Sequence, residues 1–293
     1  MTANIIPNIR QSTLDLISLP PCMSLRVKNL LYLFAMSVLL YSCSGFERIR
    51  KSSDVNYKLT RANEYYEKKD YQHAYMLFRE LLPIMKSTRN YEALFYKYAY
   101  SLYYLKDYVE ASYYFKSFSQ YFPTSNLAEE CEYMSALSLF KYSPKYTLDQ
   151  TNTTKSLEAL QSFVVNHPKS PKAVEAQKYI DASKEKLEKK QASAARLYYD
   201  IGQFKAATVT YKSTMRKYPE SKHADEYLYM IMKANYKYAK ASVASKQEER
   251  YADALAAYRE LKDTYPESSF MEDAEKLYTE TNNNVNKIRN EYQ

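Results

Sequence analysis

Small and bulky residues recur along this chain at intervals of four and then three residues, and a proline follows five residues later. The complete copies are Ala111, Phe115, Phe118 and Pro123; Ser156, Leu160, Phe163 and Pro168; Ala207, Tyr211, Thr214 and Pro219; and Ala254, Tyr258, Leu261 and Pro266. An earlier copy has Ala74, Phe78 and Leu81, with Pro83 arriving early. Offsets of four and three place side chains on one face of a helix, so each copy predicts an amphipathic helix.

Another alanine precedes each of these helices and predicts a partner helix before it. The interval is twelve residues in three copies, whose pairs are Ala62 and Ala74, Ala99 and Ala111, and Ala195 and Ala207. The interval is 20 residues from Ala136 to Ser156 and from Ala234 to Ala254, which predicts the same eight-residue extension in both inter-helix connections. Alanine lets paired helices approach closely, so the repeating unit is a helix, a turn and a second helix.

A phrase of the form [F/Y/H]-P-x-S closes four of the units. Proline has no amide hydrogen and clashes with the preceding turn, so Pro123, Pro168, Pro219 and Pro266 are expected to end the second helix of each unit. The serines that follow are expected to cap the next helix, at about 1 kcal/mol each. These serines are Ser125, Ser170, Ser221 and Ser268 or Ser269.

The pattern predicts an all-α fold, an α-solenoid of about five helix pairs. Neighbouring pairs bury the apolar helix faces that a single pair would leave exposed. We expect the repeats to occupy residues 55–280, at about 55–88, 91–123, 125–168, 170–219 and 221–266. Residues 267–293 are expected to form a polar capping helix.

The amino-terminal residues have the order of a bacterial secretion signal. From Met23 the chain reads "MSLRVKNLLYLFAMSVLLYSCSG", with basic residues before a short apolar run. That run is too short for the ~20 residues that span a bilayer as a helix. Its end resembles a lipobox, in which Cys43 receives lipid, palmitate included, and becomes the first mature residue. We therefore expect residues 1–42 to be an upstream extension plus signal peptide, with Met23 as the start, and residues 43–54 to be a lipid-anchored linker.

The composition argues against an enzyme. Gly occurs only twice, so no glycine-rich loop can close on a phosphate. His73, His167 and His223 stand in separate repeats and form no ligand pair. Cys131, the cysteine left in the mature chain beside Cys43, is expected to be a small buried side chain. We expect no catalytic residue, metal or cofactor, and the net charge of +8, spread over mixed Lys/Glu faces, predicts no nucleic-acid partner.

Together these features resemble a known family. The helix pairs are similar to tetratricopeptide repeats, and five of them with a lipobox and four [F/Y/H]-P-x-S junctions resemble the BamD family, the lipoprotein of the outer-membrane β-barrel assembly machinery. The resemblance implies an adaptor that docks the periplasmic domains of the barrel-forming subunit, works with other assembly lipoproteins and receives unfolded outer-membrane proteins. It also implies a lipid anchor in the outer membrane, facing the periplasm.

Two sets of residues are candidates for those contacts. The first set should receive an extended or barrel-derived segment ending in an aromatic residue, because an exposed tyrosine stripe supplies rigid apolar area with hydroxyls. Its members face the concave side in such repeats: Leu59, Asn63, Tyr66, Tyr96, Tyr100 and Tyr103. The alternative for these side chains is simple packing under an amino-terminal cover. By resemblance, repeats three to five dock the barrel subunit, with Arg196, Tyr199 and Asp200 as candidates.

Two other functions stay open. One is a glycan-binding lipoprotein of a nutrient-uptake system, although sugar platforms favour tryptophan and this chain has none. The other is a periplasmic scaffold for cell-wall synthesis or division, although such scaffolds usually add an amino-terminal coiled coil, for which the stretch after Cys43 leaves little room.

Overall fold

A computed structural model describes residues 45–291, and helices dominate that part of the chain. Eleven helices follow a short helical segment at residues 45–51. The described residues contain no β-strand, which confirms the all-α fold class, and none of their helices combines the length and apolar character needed to span a bilayer. The helices fall into two units, one ending at Leu105 and the other beginning at Lys106. This division lies inside the predicted second repeat.

The first unit contains three helices that pack in sequence: α1 (Val55–Glu67), α2 (Tyr71–Met85) and α3 (Tyr91–Tyr104). Aspartates begin the first two, since Asp54 accepts a hydrogen bond from the Tyr57 amide at 2.9 Å and Asp70 accepts one from the His73 amide at 3.3 Å. Pro83 lies inside α2 and does not end it. The core includes Ala62, Ala74, Leu77, Phe78, Leu81, Leu94, Phe95 and Tyr98.

Residues 45–51 pack on the first helix pair. Phe46 and Ile49 are buried, and the Phe46 ring centroid lies 4.3 Å from that of His73 and 5.9 Å from that of Tyr65. Arg50 Nε lies 3.9 Å from a carboxylate oxygen of Glu80. Part of the segment that the sequence predicts to be a linker is therefore helical and contributes side chains to the core of the first unit.

Each of three turns between consecutive helices contains one residue in the left-handed conformation. Lys69, Lys106 and Gly202 have φ angles of 62°, 65° and 79°. In the first turn the Asp70 amide donates to the Tyr65 carbonyl at 2.9 Å, which closes a helix end of the Schellman type. Glycine adopts this conformation freely, whereas a lysine does so at a cost of about 1 kcal/mol.

The second unit contains eight helices: α4 (Tyr108–Tyr121), α5 (Ala128–Tyr142), α6 (Thr151–Asn166), α7 (Pro171–Asp200), α8 (Phe204–Lys217), α9 (Ala224–Lys240), α10 (Ala244–Thr264) and α11 (Met271–Glu291). Each packs on the next, and α7 also contacts α5 as α11 contacts α9. The first helices of successive pairs are therefore neighbours, as expected for stacked helix pairs.

The four proline junctions have one geometry. The aromatic residue or histidine before each proline is the C-cap of the preceding helix, with φ between −126° and −132° and ψ between 58° and 69°. Its amide donates to the carbonyl four residues earlier, and its carbonyl accepts from the serine amide three residues later. These residues are Phe122, His167, Tyr218 and Tyr265. The prediction that the prolines end the second helices is confirmed.

The junction serines have similar sequence surroundings but differ in their hydrogen bonds and in their position relative to the next helix. Ser170 is an N-cap, as predicted, and its Oγ accepts from the Lys172 amide at 3.1 Å. The other serines accept the amide two residues on while the helix starts later, as where Ser221 accepts from His223 at 3.0 Å. Ser221 also donates to the buried carboxylate of Glu188 at 2.5 Å, which accepts from the Tyr227 hydroxyl at 2.7 Å. Burial, and then Glu188, raises the Tyr227 pKa.

The two long repeats accommodate their extra residues differently, so the prediction of one shared loop extension is wrong. In the third repeat, residues 143–150 form the connection, held by Gln150 Nε2, which donates to the carbonyls of Lys145 and Leu148 at 2.8 and 3.0 Å. In the fifth repeat only residues 241–243 connect the helices, and the extra length lengthens α10. Pro144 disfavours helix in the first segment, whereas "ASVASKQE" in the second has no such residue.

Alanines lie where the helices approach closely. Ala136, Ala195, Ala207, Ala234 and Ala254 are all 0–1% exposed, as the repeat pattern predicts. The last helix covers the final pair with side chains that the core includes, namely Ala274, Val285 and Ile288.

Candidate functional site

The predicted peptide-binding set of the first unit lies on α1 and α3, which one lysine connects. Lys97 Nζ donates to Asn63 Oδ1 and to Glu67 Oε1, both at 3.0 Å. The same ammonium lies 5.2 Å from the centroid of the Tyr66 ring. Asn63 in turn donates to the Leu59 carbonyl at 3.0 Å. The α1 members of the set therefore share one hydrogen-bonded surface with α3.

Tyrosine rings continue this surface. The Tyr96 and Tyr100 centroids are 4.8 Å apart, and Tyr100 lies 5.8 Å from Tyr104. Tyr104 stacks on Tyr71 at 4.3 Å, and Tyr71 meets Tyr66 edge to face at 5.6 Å. Burial raises the Tyr66 pKa, with further contributions from neighbouring tyrosine hydroxyls. The surface is therefore a cluster of tyrosine rings in contact with one another.

The prediction of an exposed tyrosine stripe is wrong at Tyr100. This residue is 8% exposed, and its ring contacts those of Tyr96 and Tyr104. Tyr66, Tyr96 and Tyr103 are half-buried. The ring that is exposed instead is Tyr104, at 45%. The spacing of i, i+4 and i+7 groups these rings on one side of the helix but does not show which ring covers another.

The predicted docking residues of the second unit are brought together at the end of α7. Arg196 Nε donates to Asp200 Oδ1 at 2.9 Å, and this bond raises the Arg196 pKa. The Arg196 guanidinium lies 5.9 Å from the Tyr199 ring centroid. Arg196 and Asp200 are exposed and Tyr199 is half-buried. This surface offers both charge signs beside an aromatic ring.

A groove that the sequence did not predict lies beside Tyr199, and we call it the lysine–tyrosine groove. It has a volume of about 390 Å³ and lies between α7, α9 and α11. Its lining residues are Tyr199, Tyr229, Lys233, Tyr236, Lys237, Lys240, Asp273, Lys276, Leu277 and Glu280. Tyr229, Lys233 and Tyr236 have the i, i+4 and i+7 spacing that singled out Tyr96 to Tyr103, so the signal was present in the sequence.

The three histidines have structural partners. His73 Nδ1 lies 2.7 Å from Asp70, His167 Nε2 lies 2.8 Å from Glu132, and His223 contacts Glu226 at 3.8 Å. Across residues 45–291, no group of three or more His, Cys, Asp or Glu could hold a metal ion. Cys131 is a buried cysteine of the second unit.

Comparison with known proteins decides the family. The family model of the YfiO outer membrane lipoproteins matches residues 52–249 and again 188–289, so it covers the helices of both units. The chain belongs to the YfiO family. This is the BamD family that the sequence resembles, and that prediction is confirmed. The YfiO family match also supports an outer membrane lipoprotein built as a repeat scaffold.

Two solved structures are similar in part. One is a tetratricopeptide-repeat protein from Bacteroides fragilis, with 14% identity, a TM-score of 0.41 and coverage of 79% of this chain and 99% of that chain. The other is the TPR2AB domain of yeast Sti1 in a complex with pHSP90, with 14% identity, a TM-score of 0.35 and coverage of 78% and 98%. No curated protein sequence matches the chain. The YfiO family assignment therefore depends on the family model.

Proposed function

We propose that the protein is a non-enzymatic adaptor of the outer-membrane β-barrel assembly machinery. The observation that carries the proposal is the YfiO family match across residues 52–289, which follows the paired helices of both units. In this proposal Cys43 carries the lipid anchor in the outer membrane, and the helices face the periplasm. Cys43 and the signal lie outside the described residues.

The second unit is proposed to dock the barrel-forming subunit through Arg196, Tyr199 and Asp200. An exposed arginine and an exposed aspartate beside a ring suit a polar interface, because Arg and Tyr are enriched at binding hot spots. When a partner binds here, either the Arg196–Asp200 hydrogen bond breaks or the partner bonds to the same two side chains.

The first unit is proposed to receive unfolded outer-membrane protein segments on the surface of α1 and α3. Tyr96 and Tyr103 offer partly exposed rings, while Asn63 and Tyr66 offer polar groups held in place by Lys97. Tyr100 supports this surface from below and is not expected to touch a bound segment.

Affinity capture from detergent-solubilised outer membranes tests the docking role. The proposal expects recovery of a barrel protein with periplasmic repeat domains together with other assembly lipoproteins. Replacing both Arg196 and Asp200 by alanine should reduce that recovery, whereas the matched pair Lys246→Ala and Glu249→Ala, an exposed ion pair on α10, should not. Recovery of a TonB-linked transporter, or of division proteins, in place of the barrel would reject the proposal.

Peptide binding tests the receiving role separately. A fluorescent peptide from a barrel carboxy terminus, ending in phenylalanine, should bind the full chain and lose affinity in Tyr96→Ala, Tyr103→Ala. The control is Tyr57→Ala, Ile84→Ala, which removes two exposed apolar side chains of the same unit. Equal loss in both double variants would show that the α1 and α3 surface is not the receiving site.

A further inference from the structure

The walls of the lysine–tyrosine groove are held by neighbouring side chains. The Tyr229 ring stacks on Phe270 with centroids 5.2 Å apart, and the Tyr199 ring meets Phe204 edge to face at 5.5 Å. The Tyr236 hydroxyl donates to a carboxylate oxygen of Glu280. Rings fixed in this way lose little conformational freedom when a ligand binds. The groove is therefore formed before any ligand arrives.

Three lysines of α9 give the groove its charge. Lys233 Nζ lies 5.1 Å from the Tyr229 centroid and 5.8 Å from the Tyr199 centroid, and Lys240 Nζ lies 5.8 Å from that of Tyr236. Within the described part of the chain, no ion pair joins Lys233, Lys237 or Lys240 to a carboxylate. The lysine on the opposite wall differs, since Lys276 is bound to Glu272 at 2.6 Å.

The two carboxylates that line the groove contact other groups and form no ion pair with the three α9 lysines. Glu280 accepts from Tyr236, and Asp273 lies 3.7 Å from Lys276 Nζ. The α9 side of the groove therefore presents positive charge over aromatic faces. A ligand that satisfies both features carries negative charge and apolar or aromatic groups together.

The spacing of the lysines further limits which ligands match the groove. A rise of about 1.5 Å per residue places Lys233 and Lys237 about 6 Å apart along α9, and Lys240 about 4.5 Å beyond. An extended peptide places alternate side chains about 6.8 Å apart on one side. Carboxylates at alternate positions of an extended segment therefore match two successive lysines of α9.

We propose that the lysine–tyrosine groove binds an extended acidic segment of a partner protein, with carboxylates at alternate positions facing Lys233 and Lys237. This proposal specifies the chemistry of the partner that docks on the second unit. Tyr199 belongs both to the proposed docking residues and to the groove, so the proposal rests on the proposed function to that extent. In this arrangement the remaining side chains of the segment contact the tyrosine rings.

Fluorescence anisotropy with the full chain in detergent tests this proposal. The probe is a labelled ten-residue peptide that alternates glutamate with leucine, and the reference peptide carries glutamine in place of each glutamate. The acidic peptide should bind more tightly and weaken as salt is added, because exposed ion pairs are screened. Lys233→Gln, Lys237→Gln should lower its affinity about tenfold, the loss of two partly exposed ion pairs.

The matched control is Lys205→Gln, Lys212→Gln, which removes the same charge from exposed positions of α8. Circular dichroism and urea unfolding confirm that each variant stays folded. Equal binding of the two peptides, or equal loss in the two variants, would overturn the proposal. Anionic vesicles that bind with the same dependence on Lys233 and Lys237, and displace the peptide, would overturn it in favour of a lipid surface.

The two proposals fail separately. If the acidic peptide does not bind but the barrel subunit is still captured, the inference about the groove is wrong and the adaptor role stands. If the peptide binds but the barrel subunit is not captured, the groove is a peptide site of a protein with another role.

Discussion

Ser221→Ala should destabilise the second unit more than the equivalent change at another junction. The Ser221 hydroxyl accepts from the His223 amide and donates to buried Glu188, whereas the Ser170 hydroxyl accepts from the Lys172 amide as an N-cap. A serine hydroxyl that accepts from a backbone amide, at a cap or in the turn before a helix, contributes about 1 kcal/mol. A hydrogen bond to a charged group contributes about 1.5–3 kcal/mol, and its loss leaves the carboxylate with fewer donors. We expect a loss of about 2.5–4 kcal/mol for Ser221→Ala and about 1 kcal/mol for Ser170→Ala.

Urea unfolding followed by circular dichroism measures the loss of unfolding free energy in each serine variant. Both serines belong to the second unit, so both losses refer to the unfolding of that unit. Glu188→Gln keeps an acceptor but removes the charge, so combining it with Ser221→Ala should cost less than the sum of the two single changes. Losses that agree within about 0.5 kcal/mol for the two serines would show that the bond to Glu188 contributes nothing. The reasoning about this junction would then be wrong.

Three further predictions concern the backbone, pH and the amino-terminal segment. Lys69→Gly should stabilise the first unit by about 1 kcal/mol in urea unfolding. Gly202→Ala should destabilise the second unit by a similar amount through its left-handed backbone alone, because a Cβ at this position would meet no neighbouring atom. Burial raises the pKa of Tyr211 to about 12 from 10.0, so its contribution to stability is complete well below pH 10 and about 2 kcal/mol of it is lost by pH 12. Tyr211→Phe should flatten that loss when unfolding is measured at about pH 8 and about pH 12. Phe46→Ala should cost about 3 kcal/mol of local stability, seen as faster amide hydrogen exchange in residues 45–51 with the second unit unchanged.

The helices could be predicted from the sequence because their signals are local. An alanine such as Ala207 and a bulky residue such as Tyr211 define a face within one turn of helix, and a proline such as Pro219 ends the helix by its own covalent structure. Each signal acts within a few residues, so it keeps its meaning whatever the chain does elsewhere. The junctions were predictable for the same reason.

Contacts between helices could not be predicted in the same way. The burial of Tyr100 depends on rings above and below it, and the bond from Ser221 to Glu188 joins residues 33 positions apart. The eight extra residues of the long repeats become a loop at Pro144 and helix before Tyr251, a difference that the equal 20-residue intervals do not reveal, although Pro144 disfavours helix in the first segment. The lysine–tyrosine groove gathers residues from three helices, and the regular spacings within α9 and within α11 do not show that these two faces meet.

The packing of Phe46 sets a limit on any chain that is held at Cys43. Two residues separate Cys43 from Phe46, and an extended chain covers at most about 3.6 Å per residue, so the tether reaches about 11 Å. That is close to the diameter of a single helix with its side chains, about 10–12 Å. A fatty-acylated Cys43 would therefore keep the first helix pair against the lipid headgroups, free to pivot but unable to move away.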